Sequence, residues 1–110
     1  MEYLFSYGTL QKSKVQLESF GRELIGKKDI ITGFKLKKIE VKDPVVLSIS
    51  KERFHSILVY SGNDLDQVKG TVYEISSSEL LDADDYEVDD YKRVNVVLKS
   101  GINSWVYISK

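Results

Sequence analysis

The chain has 110 residues, which suits one domain with a single core, so we expect residues 1–110 to form one unit. Hydrophobic residues make up 42% and charged residues 30%, as in soluble globular proteins, and the formal net charge of -1 argues against nucleic acid or a membrane surface as partner. The absence of cysteine excludes disulfides and thiolate metal sites, and because no signal-peptide or membrane-spanning pattern is present we expect a cytoplasmic protein.

Strand-like runs and two helical segments follow one another along the chain. The opening aromatic run has no polar face, which is typical of a central strand buried on both sides. Farther on, Phe34 and Leu36 are expected to point inward and Lys35 and Lys37 outward, as in a strand with one solvated face. Ser100-Gly101 is predicted to join the last two strands in a β-hairpin. In chain order we predict a strand at 3–6, a helix at 13–24 with Gly21 either inside it or ending it, strands at 30–41, 45–49, 55–60 and 68–75, a helix at 77–86, and strands at 91–99 and 102–109.

The start of the second helix is the most sharply marked boundary. In Ser76-Ser77-Ser78-Glu79, a serine hydroxyl and a glutamate three residues later can satisfy each other's backbone amides, a pattern called a capping box. Six or seven strands with one or two short helices predict an α+β fold, in which a small mixed β-barrel is flanked by the helices.

The acidic run LDADDYEVDDYKR is the densest polar feature of the chain. A solvated helix end is the ordinary explanation, and the spacing of a calcium-binding loop is missing. At about 100° per residue, Leu80, Ala83 and Glu87 share one sector of the helix, whereas Asp85 points away. If the Leu80 side is buried, Glu87 is the acid carried toward the core, where partial burial would let it act as a general base. Asp84, which borders the sector, and Asp85 stay open as alternatives.

Other chemistry-bearing residues carry weaker signals. His55 is the only histidine and has no cysteine or second histidine with which to share a metal, so we expect a structural histidine and no metal site. The alternation of Trp105 and Tyr107 is more typical of strand packing than of a stacking platform for bases. The YGTL segment at residues 7–10 has too few glycines for a phosphate loop, so its composition alone predicts a turn.

Four segments together resemble the gamma-glutamylcyclotransferase family, including its AIG2-like and short bacterial members: FSYGTLQ, KGTVYEI, DDYEVDDYKRV and SGINSWVYI. The strongest parts are the YGTL loop and the acidic motif formed by Glu87, Tyr91 and Arg93. The resemblance implies a small mixed β-barrel with flanking helices and an enzyme of the acyltransferase or amidine-lyase type that needs no cofactor. In the implied reaction, the α-amino group of a small gamma-glutamyl substrate attacks its own γ-carbonyl, which releases the attached amine or amino acid and leaves 5-oxoproline.

The resemblance also implies roles for single residues. Glu87 matches the catalytic position, as the group that takes a proton from the amine and returns one to the leaving nitrogen. Backbone amides beside a glycine can approach negative oxygens without side chains in the way. The residues implied in substrate binding are Tyr7, Gly8, Thr9, Leu10 and Tyr91. A non-catalytic module that binds a small ligand in the same pocket is the alternative interpretation.

Overall fold

The computed structural model describes residues 1–40, 44, 54–86 and 91–110. The predictions for the strand at 45–49, the His55 side chain and Glu87 concern parts of the chain outside this description. The described elements are β1 (Glu2–Ser6), a single 3-10 turn (Thr9–Gln11), α1 (Ser13–Phe20), β2 (Ile25–Thr32), β3 (Phe34–Glu40), β4 (Phe54–Tyr60), β5 (Gln67–Ile75), α2 (Ser77–Tyr86), β6 (Tyr91–Val97) and β7 (Asn103–Ser109).

Five of these strands form one mixed sheet in the order β2-β5-β1-β7-β6, and β3 pairs with β4 in an antiparallel ribbon. β1 lies in the middle of the sheet, antiparallel to β5 and parallel to β7, which confirms the prediction of a central strand. The predicted α+β class is also confirmed. The predicted closed barrel is wrong for the described residues, because β2 and β6 stand at opposite edges of the sheet and do not pair with each other.

The sheet nevertheless curls, and the β6–β7 hairpin reaches across to β2. At the hairpin tip the Lys99 amide donates to the Ile30 carbonyl at 2.9 Å, and the Ser100 hydroxyl donates to the Asp29 carboxylate at 2.5 Å. These bonds come from a turn and do not form a strand ladder, so they do not pair β6 with β2. The predicted hairpin is confirmed, and its turn contains Gly101 at a φ of 94°, a conformation that glycine adopts without steric cost.

Two clusters of buried side chains lie on the two faces of the sheet. Neighbouring residues of β1 belong to different clusters, Leu4 to one and Phe5 to the other, so β1 has no polar face. The cluster that includes residues of both helices contains Leu4, Leu10, Val15, Ile57, Tyr73, Ile75, Leu80, Ala83, Tyr91 and Tyr107. The other cluster contains Phe5, Ile31, Phe34, Leu58, Val68, Val72, Leu98, Val106 and Ile108.

The two helices begin where the sequence predicts. Of the two possibilities left open for Gly21, the structure shows that it ends α1 after Phe20, because it takes a left-handed conformation with φ 72° and its amide bonds back to the Leu17 carbonyl. At the start of α2 the Ser76 hydroxyl accepts from the Glu79 amide at 3.1 Å, and the Glu79 carboxylate accepts from the Ser76 amide at 2.9 Å. The predicted capping box is therefore confirmed. No helix in the described part of the chain is long and apolar enough to cross a membrane.

The segment predicted as one strand at 30–41 forms parts of two strands. The first, β2, begins earlier at Ile25, and Gly33 with φ 82° separates it from β3. Phe34 is buried and Lys35 and Lys37 are exposed, as predicted, but Leu36 is 47% exposed. The prediction for Leu36 is wrong: in the described part of the chain β3 pairs with β4 and lies outside the five-stranded sheet, and the burial of Phe34 does not extend along the strand to Leu36.

Candidate active site

A cleft of about 240 Å³ opens where β1 ends. One wall is the continuous segment that runs from the end of β1 to the start of α1, and the rest comes from β4, β6 and β7. Its lining residues are Phe5, Ser6, Tyr7, Gly8, Thr9, Leu10, Gln11, Lys12, Ser56, Tyr91 and Tyr107. The five described residues that the sequence predicts for substrate binding thus meet in one cleft of a size that suits a small molecule.

Two glutamines hold the YGTL loop in place. The Gln11 side chain donates to the Gly8 carbonyl at 3.3 Å and accepts from the Thr71 hydroxyl at 2.9 Å, which ties the loop to β5. The buried Gln16 side chain donates to the Leu10 carbonyl at 2.8 Å, and its oxygen accepts from a backbone amide that follows α1. The loop backbone is therefore preorganised by its neighbours. Sequence reasoning did not single out either glutamine, since no local pattern distinguishes them from surface residues.

Glycine at position 8 is not explained by the protein's own packing. Its φ is -135°, which other residues also adopt, and a Cβ atom there would meet no described atom within 4 Å. Gly70 differs, because a Cβ on that residue would clash with the Ser6 carbonyl oxygen and the Phe5 ring. Packing thus requires glycine where β5 passes β1, whereas no described atom crowds position 8 in the loop that lines the cleft.

Three tyrosines of the cleft donate their hydroxyl protons to protein groups. Tyr7 donates to the Tyr107 carbonyl at 2.6 Å and accepts from a backbone amide of β4 at 3.3 Å, so it bridges β7 and β4. Tyr91 donates to the Ser56 carbonyl at 2.7 Å, and Tyr107 donates to the Asp84 carboxylate at 2.7 Å. The hydroxyl bonds of Tyr7 and Tyr91 therefore brace the walls of the cleft.

Asp84 forms a two-bond ion pair with Arg93 behind this cleft. The Arg93 Nε and Nη2 atoms donate to the two carboxylate oxygens at 2.8 Å and 3.0 Å. Burial, the largest single influence, favours a raised pKa for Asp84. The hydrogen bonds from Arg93 and Tyr107, with the charge of Arg93, together outweigh burial and hold the pKa below its usual value. Asp84 is also not a lining residue of the cleft.

The burial of α2 agrees with the helical geometry predicted from the sequence. Leu80 is 5% exposed and Ala83 is fully buried, whereas Asp85 is exposed and does not line the cleft. Glu87 follows the last residue of α2 in the sequence and precedes Tyr91 by four positions. Among the described residues, no group of three or more His, Cys, Asp or Glu is placed to hold a metal ion.

A family model described as gamma-glutamyl cyclotransferase, AIG2-like, matches residues 4–110. The chain therefore belongs to the AIG2-like gamma-glutamyl cyclotransferase family. No curated protein matches the chain.

Solved structures with the same fold come from several sources. A solution structure of an Arabidopsis thaliana protein is 22% identical, with a TM-score of 0.71 over 98% of this chain and 61% of the other. A crystal structure of an uncharacterized protein from Pyrococcus horikoshii is 21% identical, with a TM-score of 0.69 over 99% of this chain and 78% of the other. A structure described as a gamma-glutamyl cyclotransferase is 16% identical, with a TM-score of 0.71 over 99% of this chain and 66% of the other. These likenesses show the fold, and the chain spans about three fifths of the first structure's length.

Proposed function

We propose that the protein is a cyclotransferase that converts a gamma-glutamyl amino acid, amine or peptide into 5-oxoproline and the free amine. One observation carries the proposal: the YGTL loop and Tyr91, which lie far apart in the sequence, line a single small cleft. Both belong to the family motifs, and family membership supports the same general chemistry.

The reaction needs a proton acceptor and a folded substrate. The α-amine of a gamma-glutamyl compound is largely protonated near pH 7, so a carboxylate must take its proton before the nitrogen attacks the γ-carbonyl carbon. The new carbon–nitrogen bond closes the five-membered ring, and the protonated carboxyl group passes its proton to the departing nitrogen as the bond to the attached amine breaks. The ring nitrogen also gives up a second proton, which the released amine takes up near pH 7. Because the attack is intramolecular, holding the glutamyl group folded supplies much of the acceleration, and no cofactor is required.

Glu87 is the proton acceptor in this proposal. Of the three acids weighed from the sequence, Asp84 already accepts three hydrogen bonds and has a lowered pKa, which makes it a poor base. Asp85 is exposed and away from the cleft lining. The elimination of these two supports Glu87, which the family motif also favours.

The loop residues Gly8, Thr9 and Leu10 bind the negative oxygens of the substrate in this proposal. Neither φ nor packing explains glycine at position 8, and a ligand that approaches the backbone closely supplies the missing reason. Lys12 is the one charged side chain among the described lining residues, and its ammonium group suits the α-carboxylate of the substrate.

The test is to incubate the protein with a panel of gamma-glutamyl amino acids, amines and peptides and to measure 5-oxoproline by mass spectrometry. Glu87→Gln should lower kcat by about 100-fold or more, because it removes the general base and keeps the shape of the side chain. Asp85→Asn is the matched control and should retain wild-type rates. A fully active Glu87→Gln protein would contradict the role of Glu87. A panel compound that binds and raises Tm without any product would instead favour the non-catalytic module.

A further inference from the structure

Gln16 is a buried polar residue of α1 that does not line the cleft. Its side-chain Nε2 donates to the Leu10 carbonyl at 2.8 Å, and its Oε1 accepts from the Leu24 amide at 2.8 Å. One planar side-chain amide thus bridges the end of the YGTL loop and the segment that follows α1. Burying an amide costs free energy unless its two ends are bonded, and packing alone would not require a donor or an acceptor at this position.

The donor end of Gln16 bonds to a peptide group that is held at both of its polar atoms. The Leu10 carbonyl and the Gln11 N–H belong to one planar peptide group. Gln16 donates to the oxygen of this group, and the N–H of the group donates to the Gly8 carbonyl at 3.1 Å. The bond from Gln16 therefore fixes the peptide group that reaches back to Gly8.

The Gly8 carbonyl in turn sets the direction of an amide in the loop. This carbonyl accepts from the Gln11 backbone at 3.1 Å and from the Gln11 side chain at 3.3 Å. The peptide bond between Gly8 and Thr9 is trans, so the Thr9 N–H points opposite to the Gly8 carbonyl. Two planar peptide groups thus connect Gln16, which lies outside the cleft, to the backbone of the loop that lines it.

We propose that Gln16 is a positioning residue of the reaction: by donating to the Leu10 carbonyl, its side chain orients the backbone amides of the YGTL loop toward the negative oxygens of the substrate. This inference rests on the proposed function, in which these amides bind those oxygens. Amides that are already oriented need no rearrangement when charge develops on the γ-carbonyl oxygen, so they stabilise the transition state more than a loosely held loop would. The acceptor end of Gln16, bonded to the Leu24 amide, stabilises the fold.

Two variants of Gln16 separate its donor end from its acceptor end. Gln16→Met keeps the length of the side chain and loses both hydrogen bonds. Gln16→Glu keeps an acceptor for the Leu24 amide, but it can donate to the Leu10 carbonyl only while the introduced carboxyl group is protonated. Burial raises the pKa of such a group above the ordinary glutamate value of about 4.3, so we expect it to titrate where the enzyme can be assayed.

The experiment measures kcat/KM with gamma-L-glutamyl-methylamide between about pH 5 and about pH 9. Each variant is divided by the wild-type protein at the same pH, which cancels the titration of Glu87. We expect Gln16→Met to be about tenfold slower at every pH, the effect of one lost hydrogen bond. Gln16→Glu should approach the wild-type value at low pH and the Gln16→Met value at high pH. The infrared band of the protonated carboxyl group follows its titration in the same samples.

Ser13→Ala is the matched control for a purely structural contribution. The Ser13 hydroxyl also ties α1 to the segment after it, through the Glu23 carboxylate at 2.5 Å, and Ser13 does not line the cleft. This variant should keep the wild-type kcat/KM at every pH. Circular dichroism and Tm establish that each variant folds. If Gln16→Glu unfolds at high pH, its recovery at low pH relative to Gln16→Met is the deciding measurement.

The possible results separate the inference from the proposed function. If the wild-type protein forms 5-oxoproline but Gln16→Met is equally fast, or Gln16→Glu is equally active with its carboxyl group ionised and protonated, the inference is overturned and the function stands. If the wild-type protein forms no 5-oxoproline from any gamma-glutamyl compound, the function fails and the inference fails with it. A constant loss in Gln16→Met together with a pH-dependent loss in Gln16→Glu supports the role of Gln16.

Discussion

Among the described residues, helix α2 carries two acid–arginine pairs that have the same residue types and similar bond lengths. Near its start, Glu79 accepts two bonds from Arg22 at 2.7 Å and 2.8 Å. In its second half, Asp84 accepts two bonds from Arg93 at 2.8 Å and 3.0 Å. Residue types, bond number and bond lengths therefore do not distinguish the two pairs.

The third partner of each carboxylate separates them. Glu79 also accepts from the Ser76 amide, so this pair completes the helix cap and ties α2 to the segment after α1. Asp84 also accepts from the Tyr107 hydroxyl, so that pair ends at the cleft. The same kind of ion pair thus stabilises the helix start at one end of α2 and contacts the candidate site at the other. The third partner of the carboxylate determines which of these roles each pair has.

The largest difference is expected when each carboxylate is removed. Asp84→Ala leaves the Arg93 guanidinium and the buried Tyr107 hydroxyl without their acceptor, which should lower the free energy of unfolding by about 2 kcal/mol. Glu79→Ala should cost about 1 kcal/mol, a typical value for a lost cap, because the Arg22 side chain is 43% exposed and reaches water. Urea denaturation at neutral pH measures both. Equal costs, or a reversed order, would break the comparison.

A smaller effect is expected when each arginine becomes lysine. Lysine keeps the charge but cannot donate two parallel hydrogen bonds or stack on a ring. Arg93→Lys therefore loses one bond to Asp84 and the stacking on Trp105, which should lower the free energy of unfolding by about 1 kcal/mol. Arg22→Lys should change Tm little, because the exposed lysine can still pair with Glu79. Thermal unfolding of the two proteins side by side checks this order. An equal loss in both would mean that the partly buried two-bond pair of Arg93 contributes no more to stability than the exposed pair of Arg22.

Features of the fold that depend on neighbouring residues could be predicted from the sequence. The capping box and the hairpin at Ser100-Gly101 are written in consecutive residues, and both are confirmed. The break at Gly33 and the outward position of Leu36 depend on which strands pair, which alternation along one strand does not encode. The open form of the sheet could not be predicted either, because the pairing of its edge strands depends on residues that are far apart in the sequence.

The candidate site divides in the same way. The YGTL loop and Tyr91 were found through family motifs, whereas the bond from Tyr107 to Asp84 joins residues 23 positions apart and leaves no local pattern. Tyr107 was interpreted as a packing residue, and at 5% exposure it does pack. Tyr107 also lines the cleft, and this could be seen only in the structure, where β7 lies beside the YGTL loop.

The smallest effect concerns pH. The hydrogen bonds from Arg22, the largest influence, lower the pKa of Glu79 from 4.5 to about 2. The pKa of Asp84 is also lowered from 3.8, although burial, its largest single influence, opposes the bonds from Arg93 and Tyr107. A carboxyl whose pKa is lower in the folded state stabilises the protein above its unfolded pKa, and this stabilisation disappears as pH falls through the folded pKa.

The cost of Glu79→Gln should therefore shrink as the pH falls from 4.5 toward about 2. For Asp84→Asn the decline should start at a lower pH than for Glu79→Gln, because the ordinary pKa of Asp84 is 3.8 and that of Glu79 is 4.5. Solvent around Arg22 screens the first pair, so its pH-dependent part should be small and should weaken further in molar salt. Urea titrations across this pH range, with and without salt, measure both trends. If the loss of unfolding free energy in Glu79→Gln grows as the pH falls, or is unchanged by molar salt, the Glu79 carboxylate is not stabilised by its ion pair with Arg22.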